Sequence, residues 1–171
     1  MNQDQNQDLN QAFRQAMRQM AGGVCVITAN DGEQRTGLTA TSVVSVSMDP
    51  PELLISVNRT SSTWPVLEKA GRFGINVLSR AQQHVAENFS GQGGLRGAQR
   101  YADDDWTQTS EGVWLSRKAL AVFACDVEKV VEHRQHALIV GKVTFIGVLP
   151  GDSPLTYWQG QYGSFAPPAA P

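Results

Sequence analysis

Two stretches of this chain place hydroxyl side chains where a phosphorylated ring system would find donors and acceptors. In TGLTATSVVSVSMDPP, from Thr36 to Pro51, six of the first twelve residues are Thr or Ser. Successive residues of a strand face opposite ways, so Thr39, Thr41, Ser45 and Ser47 can line one face while Leu38, Ala40, Val44 and Val46 line the other. Short hydroxyls beside free backbone groups suit a flat polar heterocycle, because they supply hydrogen bonds without bulk. In NRTSSTWP, from Asn58 to Pro65, hydroxyls and an arginine stand ahead of an expected helix, whose unpaired N–H groups and positive dipole end favour a phosphate. Each feature has a plainer origin, a threonine-rich half-exposed strand in one case and ordinary helix capping in the other. Together they describe a nucleotide-like cofactor, if a strand and the loop after its neighbour meet on one ligand.

Other motifs offer less. GQGGLRG nearly spells a dinucleotide fingerprint, but Arg96 holds the third glycine position and no βαβ unit surrounds it, so it reads as a loop or lid. The acidic run Asp103, Asp104 and Asp105 reads as a solvated loop. His133 and His136 invite a metal, yet on one strand they would point to opposite faces, and no third and fourth ligand accompanies them. Lys69, Arg72, Arg96 and Arg100 form no obvious cluster that would mark a second phosphate pocket. No P-loop, nucleophile elbow or paired-carboxylate pattern is present.

The elements that must position these residues follow from periodicity. Leu9, Phe13, Ala16, Met17 and Met20 recur at helical spacing, with Gly22-Gly23 placed for a left-handed cap. Val24 to Ala29 reads as a strand, Asn30-Asp31-Gly32 as a hairpin turn, and Gln34 to Ser47 as the next strand, ended by Asp49-Pro50-Pro51. Glu52 to Val57 follows as a strand, and a short helix begins near Pro65 and stops at Gly71. Phe73, Ile75 and Val77 alternate as a strand; Ser79 and Gln82 fit a capping box ahead of a helical face with Val85 and Phe89. Two long β runs, Ala119 to Glu132 and His136 to Leu149, and the segment PLTYWQGQYGSF complete the chain. Many strands joined by hairpin-type turns, with helices as inserts, predict a mainly β domain in which an antiparallel sheet closes into a barrel. Residues 1–8 and 166–171 are expected to be loose tails around one domain spanning 9–165.

Composition sets the limits. With 171 residues, 41% of them apolar, the chain can bury one ordinary core. A net charge of −2 with scattered Lys and Arg gives no stripe for nucleic acid. No apolar run approaches the roughly 20 residues that cross a bilayer, and MNQDQNQDLNQ lacks the parts of a signal peptide, so the expected place is the cytoplasm with no membrane partner. Cys25 and Cys125 each lie in an apolar run, which favours reduced, buried thiols.

From about Phe13 to Phe165 the chain resembles the short-chain flavin reductases, the reductase components of two-component flavin-dependent monooxygenases. The resemblance rests on FRQAMRQMAGGVCVITA, GLTATSVVSVSMDPP, LLISVNRTSSTWPVL, GRFGINVLS, HALIVGKV and PLTYWQGQY, in that order. It implies an FMN-binding split barrel, a homodimer with flavin near the subunit contact, and hydride transfer from NADH or NADPH to FMN or FAD. Reduced flavin would then pass to a separate oxygenase. It places Arg35, Thr36, Gly37, Leu38, Thr39, Thr41 and Ser42 at the isoalloxazine ring and ribityl chain. Ser56, Val57 and Asn58 would border the same site, Ser62 and Thr63 would take the phosphate, and Asn88 and Phe89 would close over the far end. Tyr157, Trp158, Gln159 and Gly160 would border the nicotinamide. His136, matching the histidine ahead of the family's Leu-x-x-Gly pattern, would bind or orient the pyridine nucleotide. The run Trp158, Gln159 and Gln161 lacks an arginine for a 2′-phosphate, which leans to NADH. Rival readings on the same barrel are an FMN-retaining oxidase of the pyridoxamine-phosphate type, a flavin or haem carrier without turnover, and a plain structural barrel.

Overall fold

VCVITA buries both of its faces, and that decides where two of the three hydrophobic clusters lie. The computed structural model describes residues 3–102, 104–150 and 153–166; the expected C-terminal tail from 167 on and Asp103 lie outside the described residues. Its elements are α1 (Gln3–Met17), β1 (Gly22–Gly23), β2 (Cys25–Asn30), β3 (Arg35–Ala40), β4 (Val43–Met48), β5 (Pro51–Asn58), α2 (Trp64–Ala70), β6 (Arg72–Val77) and α3 (Gln83–Ser90). After them come β7 (Trp106–Gln108), β8 (Trp114–Ser116), β9 (Ala121–His133), β10 (His136–Val148), β11 (Leu155–Trp158) and β12 (Gln161–Ser164). From β2, Cys25, Ile27 and Ala29 pack with Ile55, Phe73 and Ile139 inside the barrel, where Trp64 and Leu67 of α2 join them. Val24 and Val26 face the other way, onto Leu78, Phe89, Tyr101 and Leu155.

The main sheet has seven strands in the order β3-β2-β6-β9-β10-β5-β4, every pairing antiparallel. The expected single strand from Gln34 to Ser47 is therefore two. Its halves form opposite edges of the sheet, and only Thr41 and Ser42 join them. Edges linked by two residues must lie close together without a ladder between them, which makes the sheet a split antiparallel barrel. Ser42 steadies the crossing by donating its hydroxyl to the Ser56 carbonyl at 3.3 Å.

Several other expectations change. The first helix begins at Gln3 rather than Leu9 and ends at Met17, while Gly22 and Gly23 are extended and pair with β11. Gly22 packs closely on Thr41, whose Cβ an added side chain would meet at 3.0 Å. On β4 a register shift between Ser45 and Ser47 interrupts the expected alternation of faces, and Val44, Val46 and Met48 are exposed. His133 and His136 are not on one strand; they are register partners across the β9–β10 turn, in which Arg134 takes φ +54. The acidic run is not simply solvated: the Asp104 side chain is 2% exposed, and its Oδ2 accepts from Ser116 at 2.6 Å and Gln82 at 2.9 Å.

Both cysteines are free and buried. Burial pushes each thiol from 9.0 up to about 12, with Asp126 adding to the effect at Cys125. A raised native value favours the neutral thiol, so the stabilisation is complete below the unfolded value near 9 and is lost as pH climbs towards about 12. Native protein at pH 8 is expected to react with a thiol-specific disulfide reagent at least about 100-fold more slowly than urea-unfolded protein. The urea midpoint should fall between pH 9 and 11.

Candidate functional site

As an edge strand, β3 has one side open, and an open edge must be covered or used. Part of it is covered by the short 3₁₀ turn Gly97–Tyr101. The Tyr101 hydroxyl donates to the Thr36 carbonyl at 2.6 Å, and Arg100 donates to the Gly37 carbonyl and, at 3.1 Å, to the Leu95 carbonyl. Burial pulls the Arg100 guanidinium down and pushes the Tyr101 phenol up, so the phenol stays a neutral donor. The Arg35 guanidinium stacks 4.9 Å from the Tyr101 ring and 4.5 Å from the Trp114 ring. Below them the buried Phe89 ring meets Tyr101 edge-on at 5.0 Å and Trp106 at 5.5 Å.

The loop after β5 comes to the same edge. Asn58 Oδ1 accepts from the N–H and the hydroxyl of Thr60, both at 2.9 Å, a local turn that suits Asn. Arg59 N–H reaches the Gln135 carbonyl at 2.8 Å, which ties the loop to the β9–β10 turn. Thr63 is buried with its hydroxyl 3.5 Å from that of Thr36, while Ser62 is exposed. The Ser61 hydroxyl is buried and has no partner among the described residues. Such an orphan is costly unless a ligand or water meets it.

Clefts open at the two ends of β3. Near its start, Thr36, Ser62, Arg96 and Arg100 line a groove of about 770 Å³. Past its end, Thr39, Thr41, Gln92, Tyr157 and Tyr162 line a cleft of about 230 Å³. Through Thr41 and Tyr157 that cleft runs into a hollow of about 270 Å³ bordered by Arg18, Trp158, Gln159 and Gly160. Tyr157 and Tyr162 meet edge-on at 5.2 Å, and Trp158 is held by its indole N–H on the Gln19 carbonyl at 3.2 Å.

A family of known proteins matches this arrangement over most of its length: the model described as a flavin reductase like domain covers residues 17–166. The chain belongs to that family. It is 34% identical to a flavin reductase of Pseudomonas putida over 147 residues, spanning 84% of this chain and 83% of the relative. It is 30% identical to the reductase subunit HsaB of a flavin-dependent monooxygenase of Rhodococcus jostii, over 87% of this chain and 74% of that one. Among solved structures, the NADH:FAD oxidoreductase SgcE6 of Streptomyces globisporus, in complex with NAD and FAD fragments, superposes with a TM-score of 0.83 at 27% identity, covering 92% of this chain and 93% of that one.

The residues present fit a flavin, the group that gives the flavin reductase family its name. An orphaned buried hydroxyl at Ser61, two guanidiniums and a row of small side chains are what a phosphorylated side arm and a flat ring require. The expected residues divide into those on the clefts and those beneath them. Thr36, Thr39, Thr41, Ser62, Tyr157, Trp158, Gln159 and Gly160 line the clefts. Thr39 spends its hydroxyl on the Ala86 carbonyl at 2.6 Å. Leu38 and Val57 pack into the barrel core, Gly37 and Phe89 are buried, and Ser56, Asn58 and Asn88 are half-buried. His136 opens β10 opposite Asn58, exposed and outside these clefts.

Sequence reasoning missed Arg18, Ser61 and the meeting of Arg96 with Arg100. Arg18 comes to Gly160 from the far end of the chain, so close that a Cβ on Gly160 would lie 2.6 Å from its guanidinium. Arg18 thus stands beside a run, Trp158–Gln161, that has no arginine of its own. Lys69 and Arg72, by contrast, are engaged away from the site, with Asp31 and Asp126.

Proposed function

We propose that this flavin reductase passes a hydride from NADH or NADPH to FMN or FAD bound along the open edge of β3, and hands the reduced flavin to a partner oxygenase. The observation that carries the reading is the division of clefts along one strand: Thr36, Ser62, Arg96 and Arg100 offer hydroxyls and cations at one end, Thr41, Tyr157 and Tyr162 an aromatic wall at the other. When bound, flavin accepts the hydride through its own chemistry. The chain has to bind, orient and supply a suitable field. Ser61 and Ser62 hold the phosphate with the guanidinium of Arg100. Backbone N–H groups between Gly37 and Ser42 and the Thr41 hydroxyl stabilise the negative charge that grows on the ring. Tyr157 and Trp158 wall the nicotinamide, and Arg18 takes a phosphate of the dinucleotide.

The enzyme acts in the cytoplasm as a homodimer with flavin near the subunit contact. Exposed Val44, Val46 and Met48 on β4 and Phe145, Ile146 and Val148 on β10 support this, because patches of that kind mark association surfaces. No helix among the described residues is long and apolar enough to cross a membrane.

The test is loss of NADH absorbance by purified protein with FMN, FAD or riboflavin as acceptor; no oxidation with any of the three would end the reading. Arg18→Ala is expected to raise KM for NADH about ten-fold, in line with the loss of a charge-assisted hydrogen bond. KM for flavin should stay within about two-fold, and equal shifts in both would remove Arg18 from the dinucleotide side.

A further inference from the structure

The turn Gly97–Tyr101 is held on the open edge of β3 by Arg100 on the Gly37 carbonyl and by Tyr101 on the Thr36 carbonyl at 2.6 Å. The chain reaches it through GQGG, where Gly91 and Gly94 take φ +83 and +72, so permissive backbone gives the turn little support from that side. On its other side, three residues past Tyr101, the Asp104 side chain is 2% exposed and does not line the groove of Arg96 and Arg100. We propose that Asp104 is a positioning residue for flavin reduction: it clasps the end of the 97–101 turn to the body of the barrel and so sets Arg100 where the flavin phosphate binds. The proposal rests on the flavin reductase reading above and adds a residue that acts on the site without touching it.

The hydrogen bonds around Asp104 form a closed set. Its Oδ2 accepts from the Ser116 hydroxyl at 2.6 Å and from Gln82 Nε2 at 2.9 Å, and Lys118 Nζ at 3.8 Å from Oδ1 offsets the charge. Ser116 Oγ itself accepts from Gln82 Nε2 at 2.9 Å and from the Lys118 N–H at 3.2 Å, so its one proton and both lone pairs are used. Gln82 Oε1 takes the Ser79 N–H at 3.2 Å, which fixes the turn leading into α3. The Ser116 N–H donates to Asn76 Oδ1 at 2.7 Å, and Asn76 Nδ2 donates to the Val26 carbonyl at 3.1 Å, which carries the run into β6 and β2. Gln82, Ser116 and Asn76 are all buried. Hydrogen bonds to a carboxylate are roughly twice as strong as neutral ones. Without the carboxylate, the Ser116 hydroxyl and a Gln82 N–H lose their acceptor inside the protein, and leaving buried donors unmet is costly. Gln82, Ser116 and Asn76 are built into helix and sheet, so the segment between the 97–101 turn and β7 is the part that can lift and admit water. Lifting it takes Arg100 and Tyr101 off β3.

The experiment separates positioning from general loss of stability. Steady-state NADH oxidation with FMN and with FAD is measured for the wild type, Asp104→Ala, Asp104→Asn, Ser116→Ala and Asp105→Asn, and trypsin cleavage of each native protein after Arg96 and Arg100 is timed. Asp104→Ala should raise KM for flavin about ten-fold while kcat and KM for NADH stay within about two-fold. Cleavage should be at least about ten-fold faster, because it follows the population of the lifted turn. Asp104→Asn keeps an oxygen acceptor and should return KM for flavin to within about three-fold of the wild type. Asp105→Asn removes the neighbouring exposed charge and should leave both readouts unchanged. A protein that is merely less stable would show neither the split between the two KM values nor its recovery in Asp104→Asn. Should Asp104→Ala fail to fold, Ser116→Ala opens the same clasp from the other side and must show the same split. KM for flavin unmoved in the folded variants, both KM values rising together, or unchanged cleavage would overturn the proposal. If the wild type reduced neither flavin, the reductase reading would fall, and the cleavage rates would still decide whether Asp104 holds the turn.

Discussion

Gly37→Val is expected to abolish flavin reduction and to lower the unfolding free energy by about 3 kcal/mol or more, the upper end of what overpacking costs. A Cβ at this position would lie 2.5 Å from the Ile27 carbonyl oxygen and 2.7 and 2.8 Å from the Phe89 ring. Neither neighbour can retreat. The Ile27 backbone belongs to β2, which is paired on both sides, to β3 and to β6. The Phe89 ring is wedged against Tyr101 and Trp106 in the second core. The strand itself must therefore move, and with it the Gly37 and Thr36 carbonyls that anchor Arg100 and Tyr101. One added side chain thus disturbs the open edge of β3 and the turn that covers it together. Gly23→Ala is the control, because nothing lies within 4 Å of its Cβ; it should stay within about 0.5 kcal/mol of the wild type. Urea unfolding and NADH-dependent flavin reduction are the two readouts. A Gly37→Val protein as stable as Gly23→Ala would show that β3 does not rest on Phe89.

Much of the barrel was legible because local chemistry and tertiary need agree there. Asn30-Asp31-Gly32 turns β2 into β3, with Asp31 Oδ1 accepting from the N–H groups of Glu33 and Gln34 at 3.0 and 2.8 Å. Gly71 caps α2 at φ 65, and Gln82 Oε1 accepts from the Ser79 N–H at 3.2 Å, completing the capping box. These signals are carried by residues within four positions of one another, so a single sequence contains them whole.

What stayed hidden depends on partners far along the chain. The break at Thr41-Ser42 has no proline or glycine to mark it; it exists because the sheet order sends β3 and β4 to opposite edges. The burial of Asp104 needs Ser116 and Gln82, neither of which lies near it in sequence. Arg96 and Arg100 look like two scattered charges until the 97–101 turn docks on β3 and carries both to Thr36 and Ser62. Arg18 reaches the hollow at Trp158–Gly160 through its own carbonyl, which accepts from the Gln159 N–H at 3.1 Å. The motifs thus named hydroxyl residues that line these clefts, Thr36, Thr39, Thr41 and Ser62. The cations arrive by long-range packing, for which periodicity carries no signal.

The alternation on β4 failed for a related reason, and the failure leads to the second large effect. On the single chain Val44, Val46 and Val148 are exposed, Val46 by 51% and Val148 by 76%, which is what the proposed homodimer contact would use. Because β4 pairs with β5 and β5 with β10, these residues lie on two strands of one sheet with β5 between them. In a two-fold dimer a substitution on such a surface enters the contact twice. An unpaired charge left in a buried apolar contact costs about 3–5 kcal/mol, so Val46→Asp or Val148→Asp should cost about 6–10 kcal/mol per dimer. That corresponds to about four to seven powers of ten in the dissociation constant, enough to leave monomers at micromolar protein. Both positions are exposed on the single chain, so its own unfolding should shift by no more than about 0.5 kcal/mol. Sedimentation velocity and urea titration separate the two quantities, with Glu68→Ala on the exposed side of α2 as the control. If flavin lies near the subunit contact, the monomeric variants should also bind it at least about ten-fold more weakly. A wild type that sediments as a monomer would dispose of the homodimer. Variants that remain dimeric would move the contact to another face, and the exposed side of α1, with Leu9, Phe13 and Met17, is the next surface with the apolar character to form it.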